Sequence, residues 1–443
     1  MPFTRLLTVT LLLLPALACG RDPRYLMEKK PIAEVRHMGF RQDIPESLRG
    51  NAVFDRAVFT REGHYLVTAG RGIRVWDPGT GALLRTISAN LGDGNDLLIA
   101  DGTHHRVLAR QSAPAADGTK ANGLGLWDLR DGSLAGVIPD SYEDPAIPVG
   151  ITAAGDAVVF RGRQLETWAL NGSERRQVIA PPEGLQFCQR GTANHVTYND
   201  KQCFELSPSG RWLAVTAWNA ADRTAAPRPF EIDLARGTLS PIPLTDGGDH
   251  GGASGFAYSA DERTLAIGLQ DGMWIRAKGV TEGPVGEQSG RFVAGDHKRN
   301  RFLTPMGFTA HDTRLIALGD QLQVSTFDVA DGTVVGRVLP PFEDWEGVFR
   351  LSADGSRAIV YRFGADILVV LDGVRGTQRG FLCPYFCNRF HNPVEVPYAV
   401  SPDGRRVASG GRLGAGLWDT DADTLIAPLQ DPTRAPRPPL TPE

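Results

Sequence analysis

One repeated pattern constrains this chain more than anything else in it. SPDGRRVASGGRLGAGLWDT (401–420) holds a polar turn, a short apolar run, a glycine turn and a second run that closes on Trp418-Asp419. Its first half recurs as TREGHYLVTAG (60–70), AAGDAVVFRG (153–162), SPSGRWLAVTA (207–217), SADERTLAIGL (259–269), TAHDTRLIALG (309–319) and SADGSRAIVYR (352–362), with a degenerate copy at 95–109. In each copy, residues that favour turns precede a short apolar run, which is the chemistry of an antiparallel hairpin. The 51 glycines and 31 prolines are offset by no stretch of helical period, so many short strands are expected.

The second half recurs in step. Its large closing residues are Trp76, Trp127, Trp168, Ile232, Trp274, Phe327, Leu371 and Trp418, spaced by 51, 41, 64, 42, 53, 44 and 47 residues. A four-stranded antiparallel unit takes about 40–50 residues. The long interval carries an extra loop at 181–202. One such sheet cannot bury both of its faces alone. Eight of them stacked radially cover one another and leave only short edges. The large residue is expected to plug the space between neighbouring sheets. The fold class is therefore all-β, a propeller of eight four-stranded blades, with seven as the alternative.

These units resemble the WD40 repeats and their SPDG-rich bacterial relatives, and the resemblance covers most of 51–430. It rests on the turn-strand repeat together with Trp76-Asp77, Trp127-Asp128 and Trp418-Asp419. It implies a fold, whereas such propellers host many activities. The Gly-His pair and turn aspartate of eukaryotic WD40 blades are mostly missing here. Blade stability is accordingly expected to rest on packing more than on that hydrogen-bond network. Either the strand-like segment 31–40 or TLIAPLQ (424–430) is expected to close the ring.

The N-terminal segment is a separate matter. Arg5 precedes LLTVTLLLLPALA (6–18), a run too short to cross a hydrocarbon core of about 30 Å as a helix. It fits a secretory signal over 1–18. Cys19 directly follows, and the arrangement resembles the lipobox of bacterial lipoproteins, although Ala16-Leu17 departs from the usual pattern. Lipidation at Cys19, a tether over 19–30, a propeller over 31–430 and a proline-rich tail over 431–443 complete the expected organisation. Removing Cys19 from five cysteines leaves an even set, which suits an oxidising compartment. Cys188–Cys203 and Cys383–Cys387 are the expected disulfides.

Candidate sites are few. CPYFCNRFH places Cys383, Cys387 and His391 together; thiolate and imidazole suit copper or zinc, and a small disulfide suits the same cysteines. In TDGGDHGGASG, Asp246, Asp249 and His250 could hold a cation or polar ligand. His104-His105 is not expected to form a metal pair, since neighbours on an extended chain point to opposite faces. Trp218 and the stretch DWEGVF (344–349) are candidate contact aromatics. There is no G-x-S-x-G elbow, H-E-x-x-H, P-loop or C-x-x-C-H. A catalytic group assembled from one residue per blade would leave no such motif.

Lysine and arginine number 47 against 51 acidic residues, interspersed, so no basic stripe points to nucleic acid. The leading expectation is a non-enzymatic, lipid-anchored scaffold on the periplasmic or cell-surface side of a bacterial envelope, with the outer membrane preferred. It would be monomeric, need no cofactor and offer its rim loops to an envelope protein or polymer. The alternative is an enzyme, or a small-ligand or metal-binding propeller, working through the central channel or the Cys383/Cys387/His391 loop.

Overall fold

The computed structural model describes residues 54–432, apart from single residues, pairs and the stretches 92–97, 115–119, 140–145, 189–195, 198–202, 245–251, 278–289, 295–302, 320–323, 339–346, 363–366 and 383–397. Eight antiparallel sheets follow one another in chain order. The first consists of Arg56–Phe59, Leu66–Ala69, Ile73–Trp76 and Leu83–Ile87, paired in sequence order from the inside outward. The others span 99–139, 147–179, 185–241, 255–294, 303–338, 347–382 and 398–428. We number them blades 1 to 8. The helical element described is one 3-10 turn, Ala310–Asp312.

Seven of the large closing residues sit at the end of a third strand, as their recurrence suggested. The exception is Trp274, which stands two residues earlier in Gly272–Ala277, where Arg276 holds the closing register. Those in the described core clusters pack into the blade before them. Trp127 lies among Val67, Ile73 and Val75 of blade 1. Trp168 lies against blade 2, Ile232 against blade 3 and Trp274 against blade 4. Phe327 and Leu371 fill the next two seams. Trp76 reaches Ala408 and Leu417 of blade 8, so the same contact that joins neighbours also closes the circle. The indole N–H groups are satisfied locally: Trp76 donates to Thr68 at 2.9 Å, Trp418 to Ser409 at 3.0 Å and Trp168 to Glu166 at 2.8 Å.

Ring closure uses no exchanged strand among the described residues. Thr424–Pro428 is the outer strand of blade 8, and blade 1 is built wholly from 56–87. Segment 31–40 lies outside the described residues. The seam is fastened by side chains. Phe54 and Leu429 join its apolar cluster. Arg74 of blade 1 donates to Asp431, just past blade 8, at 2.6 Å, with side-chain exposures of 6% and 0%.

Beside the packing, the blades carry a side-chain network of a different kind from the one whose residues are missing. The aspartate that ends the third strand accepts backbone N–H bonds from the turn after it. Asp77 binds Gly79 and Thr80 at 2.8 and 2.7 Å, and Asp128, Asp233, Asp328, Asp372 and Asp419 do the same in their blades. Three of these also pair with an arginine at or just before the start of the second strand: Arg106–Asp128, Arg211–Asp233 and Arg314–Asp328. In the SPDG turn, the Ser401 hydroxyl donates to Asp403 at 2.6 Å and accepts from the Arg406 N–H at 2.9 Å. Gly404 closes that turn at φ +67°, a conformation glycine adopts without a Cβ penalty.

Candidate functional site

Seven of the eight inner turns open on Ser or Thr: Thr60, Thr152, Ser207, Ser259, Thr309, Ser352 and Ser401. Each of these residues donates its backbone N–H across the turn to the start of the second strand. That shared bond makes the inner strands comparable position by position. Two residues before the turn, the series reads Val58, Gly150, Glu205, Ala257, Gly307, Arg350 and Ala399. Five are small or apolar. The two exceptions are charged, of opposite sign, and belong to blades 4 and 7.

Both face the axis of the ring. A cavity of about 360 Å³ is lined by the inner strands of blades 1 and 4 to 8, including Glu205, Tyr258, Met306 and Arg350, and extends to the inner turns at Pro208, Ser352 and Pro402. The aliphatic side chains Val58, Met306 and Leu351 give it apolar wall between the charges.

Arg350 is the unusual group. Its Nε is closed off from solvent and has no hydrogen-bond partner, and no ion pair to its guanidinium exists among the described residues. Its guanidinium carbon lies 5.5 Å from the centre of the Tyr398 ring. Burial pushes its pKa down to about 10; Tyr398 opposes this, and the like charge of Arg56 adds a smaller lowering. On the facing wall, the Tyr258 hydroxyl donates to Glu231 at 2.9 Å. Burial, followed by Glu231, holds that phenol well above its ordinary value. Arg61 reaches from blade 1 over the mouth to the Ser207 and Pro208 carbonyls of blade 4. Burial lowers its pKa, and Glu205, Glu62 and Glu262 counteract this.

The turns around this mouth are tied to one another. Glu62 accepts from the Gly102 N–H at 2.9 Å and the Thr103 hydroxyl at 2.7 Å in blade 2. Glu262 accepts from Ser209, Asp312 accepts from Ala260 and Asp261, and the Asp354 N–H donates to Pro402. Hydrogen bonds thus tie neighbouring turns of this face together at blades 1–2, 4–5, 5–6 and 7–8.

The extra loop of blade 4 leaves from inside the ring. Leu185–Phe187 and Phe204–Leu206 both pair with Trp212–Asn219, so the inner strand is interrupted midway. Cys188 and Cys203 stand at the two exits, buried and joined by a disulfide. Between them, Val196–Thr197 pairs antiparallel with Phe349 and Val348 of blade 7. The insertion is therefore a strap from blade 4 to blade 7, anchored next to Arg350.

The residues expected from sequence fall elsewhere. Cys19, Cys383, Cys387, His391, Asp246, Asp249, His250 and Trp345 lie outside the described residues. His104 contacts Asp101 at 3.1 Å, and His105 lies 3.4 Å from the Tyr65 hydroxyl at φ +53°; no group of three metal-ligating side chains occurs among the described residues. Trp218 is half-buried against the blade 3–blade 4 core. Glu205, Arg350 and Tyr258 were not singled out from sequence. The signal that could have found the first two is a charge at the inner-strand position where the other repeats carry small or apolar residues.

No protein-family model and no curated protein matches the chain. Solved structures do. The C-terminal WD40 domain of Sif2 is 10% identical, with 85% of this chain and 98% of that one covered and a TM-score of 0.54. The Dos1 propeller is 7% identical, with 82% and 90% covered and a TM-score of 0.52. The dihydro-heme d1 dehydrogenase NirN, in complex with DHE, is 17% identical, with 74% and 66% covered and a TM-score of 0.47. The fold is a WD40-like β-propeller. Within that class this chain is of the eight-bladed kind, each blade built from strands consecutive in the chain, with Val196–Thr197 added to the sheet of blade 7.

Proposed function

We propose that the chain is an exported, lipid-anchored propeller that binds an envelope protein or polymer through its rim and catalyses nothing itself. The observation that carries this reading is the set of hydrogen-bonded inner turns, which presents side chains in fixed relative positions. A surface held rigid before binding loses less entropy when a partner docks. Propellers with this architecture commonly serve as interaction scaffolds. The apolar N-terminal run ending in Cys19 supports export and acylation, and several acyl chains on one terminus would anchor the ring stably. The experiment is photocrosslinking from the inner-turn face in native envelopes, with Asp354 or Ser209 replaced by a crosslinking residue. A discrete partner, lost in a Cys19→Ser variant, is the expected result. The same background in anchored and unanchored protein would end the reading.

A second reading, a small ligand held in the central channel, is favoured by one specific observation, the opposed Glu205 and Arg350.

A further inference from the structure

We propose that the axial cavity is a binding site for a small organic carboxylate, gripped by the Arg350 guanidinium and set against the Glu205 wall. This site is independent of the rim and of the partner bound there.

The argument starts from what Arg350 lacks. Arginines that serve folding elsewhere in this protein have carboxylates: Arg74 has Asp431, Arg211 has Asp233 and Arg357 has Asp421. Arg350 is half-buried in the cavity wall, with its Nε closed off and no such partner among the described residues, and its charged neighbour, Arg56, has the same sign. A half-buried cation with no counter-charge, facing a second cation, costs the empty protein stability. A group kept at that cost is characteristic of a site where function opposes stability. The planar guanidinium presents parallel N–H donors that match the two oxygens of a carboxylate, and a charge-assisted pair of this type is stronger than a neutral hydrogen bond.

The remainder of the cavity defines the rest of the ligand. Its volume of about 360 Å³ lies at the small end of the range for ligand pockets. Val58, Met306 and Leu351 offer apolar contact to a short carbon body. Glu205, on the opposite wall, favours hydrogen-bond donors at the end of the ligand far from its carboxylate. A small acid with an aliphatic body and a hydroxyl or ammonium group satisfies all three surfaces. An inorganic oxyanion satisfies only the first.

The test uses the purified full-length protein. Acetate, succinate, citrate, L-glutamate and benzoate are compared with phosphate and sulfate at matched ionic strength, by thermal unfolding and by calorimetric titration. At least one carboxylate should raise the unfolding midpoint by several degrees, and phosphate and sulfate should not. Arg350→Met should abolish that shift and weaken binding about tenfold or more, while unfolding no earlier than wild type when empty, because it removes an uncompensated half-buried charge. Arg350→Lys, which keeps the charge and loses the fork, should bind more weakly than wild type. The proposal is overturned if no carboxylate shifts the midpoint, if phosphate or sulfate does so equally, or if Arg350→Met keeps the shift. It is overturned as well if empty Arg350→Met unfolds earlier than wild type, since Arg350 would then be a folding residue.

Discussion

At the scale of single residues, the aspartates do most of the polar work. Asp128 is held well below the usual carboxylate range by its hydrogen bonds to Arg130, with Arg106 adding to them. Asp261 is lowered by the Arg263 N–H and the Ser259 hydroxyl, and Asp421 by Arg357. A carboxylate whose folded pKa is depressed stabilises the fold above its unfolded value of 3.8, and that contribution is lost as the pH falls through the folded value. Stability should therefore be flat from about pH 7 to pH 5 and fall steeply below about pH 4. Unfolding midpoints measured across that range check this. In Asp128→Asn the fall should be shallower, because the variant has already lost one such group. A midpoint that rises on acidification would contradict the turn network described here.

Among elements, the third strand and its closing residue carry the seams. Trp76→Ala empties the contact with blade 8 and should cost about 3–5 kcal/mol in denaturant unfolding. The strap is a second element with a measurable role. Its disulfide closes a loop with a sequence separation of 15, and the double variant Cys188→Ser/Cys203→Ser should lose about 3 kcal/mol. Hydrogen exchange in the peptide containing Val348 and Phe349 should quicken in that variant, since the strap pairs with the axial edge of their strand. Unchanged exchange would mean that the pairing does not depend on the disulfide.

This is also the scale at which the sequence was most readable. The repeat pointed to eight blades, with seven as the alternative, and located most of the plugs, because all but Trp274 are large residues at the same place in a local pattern. Strand pairing within a blade is sequential, so chain order alone predicts it. The axial charges were harder to see. Glu205 and Arg350 are distant in sequence and become opposed only when the ring closes, and neither belongs to a motif with its own spacing. Lining up the inner strands on their Ser/Thr turns would have revealed them as two charges in a column of small and apolar residues. The strap was visible as extra length between Trp168 and Ile232, but its landing point on blade 7 has no local signature.

For the whole molecule, the decisive bond is the one that fastens blade 8 to blade 1. Asp431→Ala strands Arg74 in a buried seam and should cost about 3–5 kcal/mol. Replacing both partners with apolar residues, Arg74→Met with Asp431→Leu, should recover most of that loss, because the seam is otherwise apolar. Urea unfolding of the three variants separates the outcomes. A double variant as unstable as the single one would show that the pair contributes more than relief of a lone charge.

Since no strand is shared between blades 1 and 8 among the described residues, the join between them is made by side chains, the Arg74–Asp431 pair among them, without a peptide link. The starting point of the polypeptide is then arbitrary as far as the circle is concerned. A circular permutant that begins at Ile147, ends at Pro139 and has its former termini connected by a linker would keep all eight seams and the axial chamber. It would convert the present gap into an ordinary connection and place a new one between blades 2 and 3.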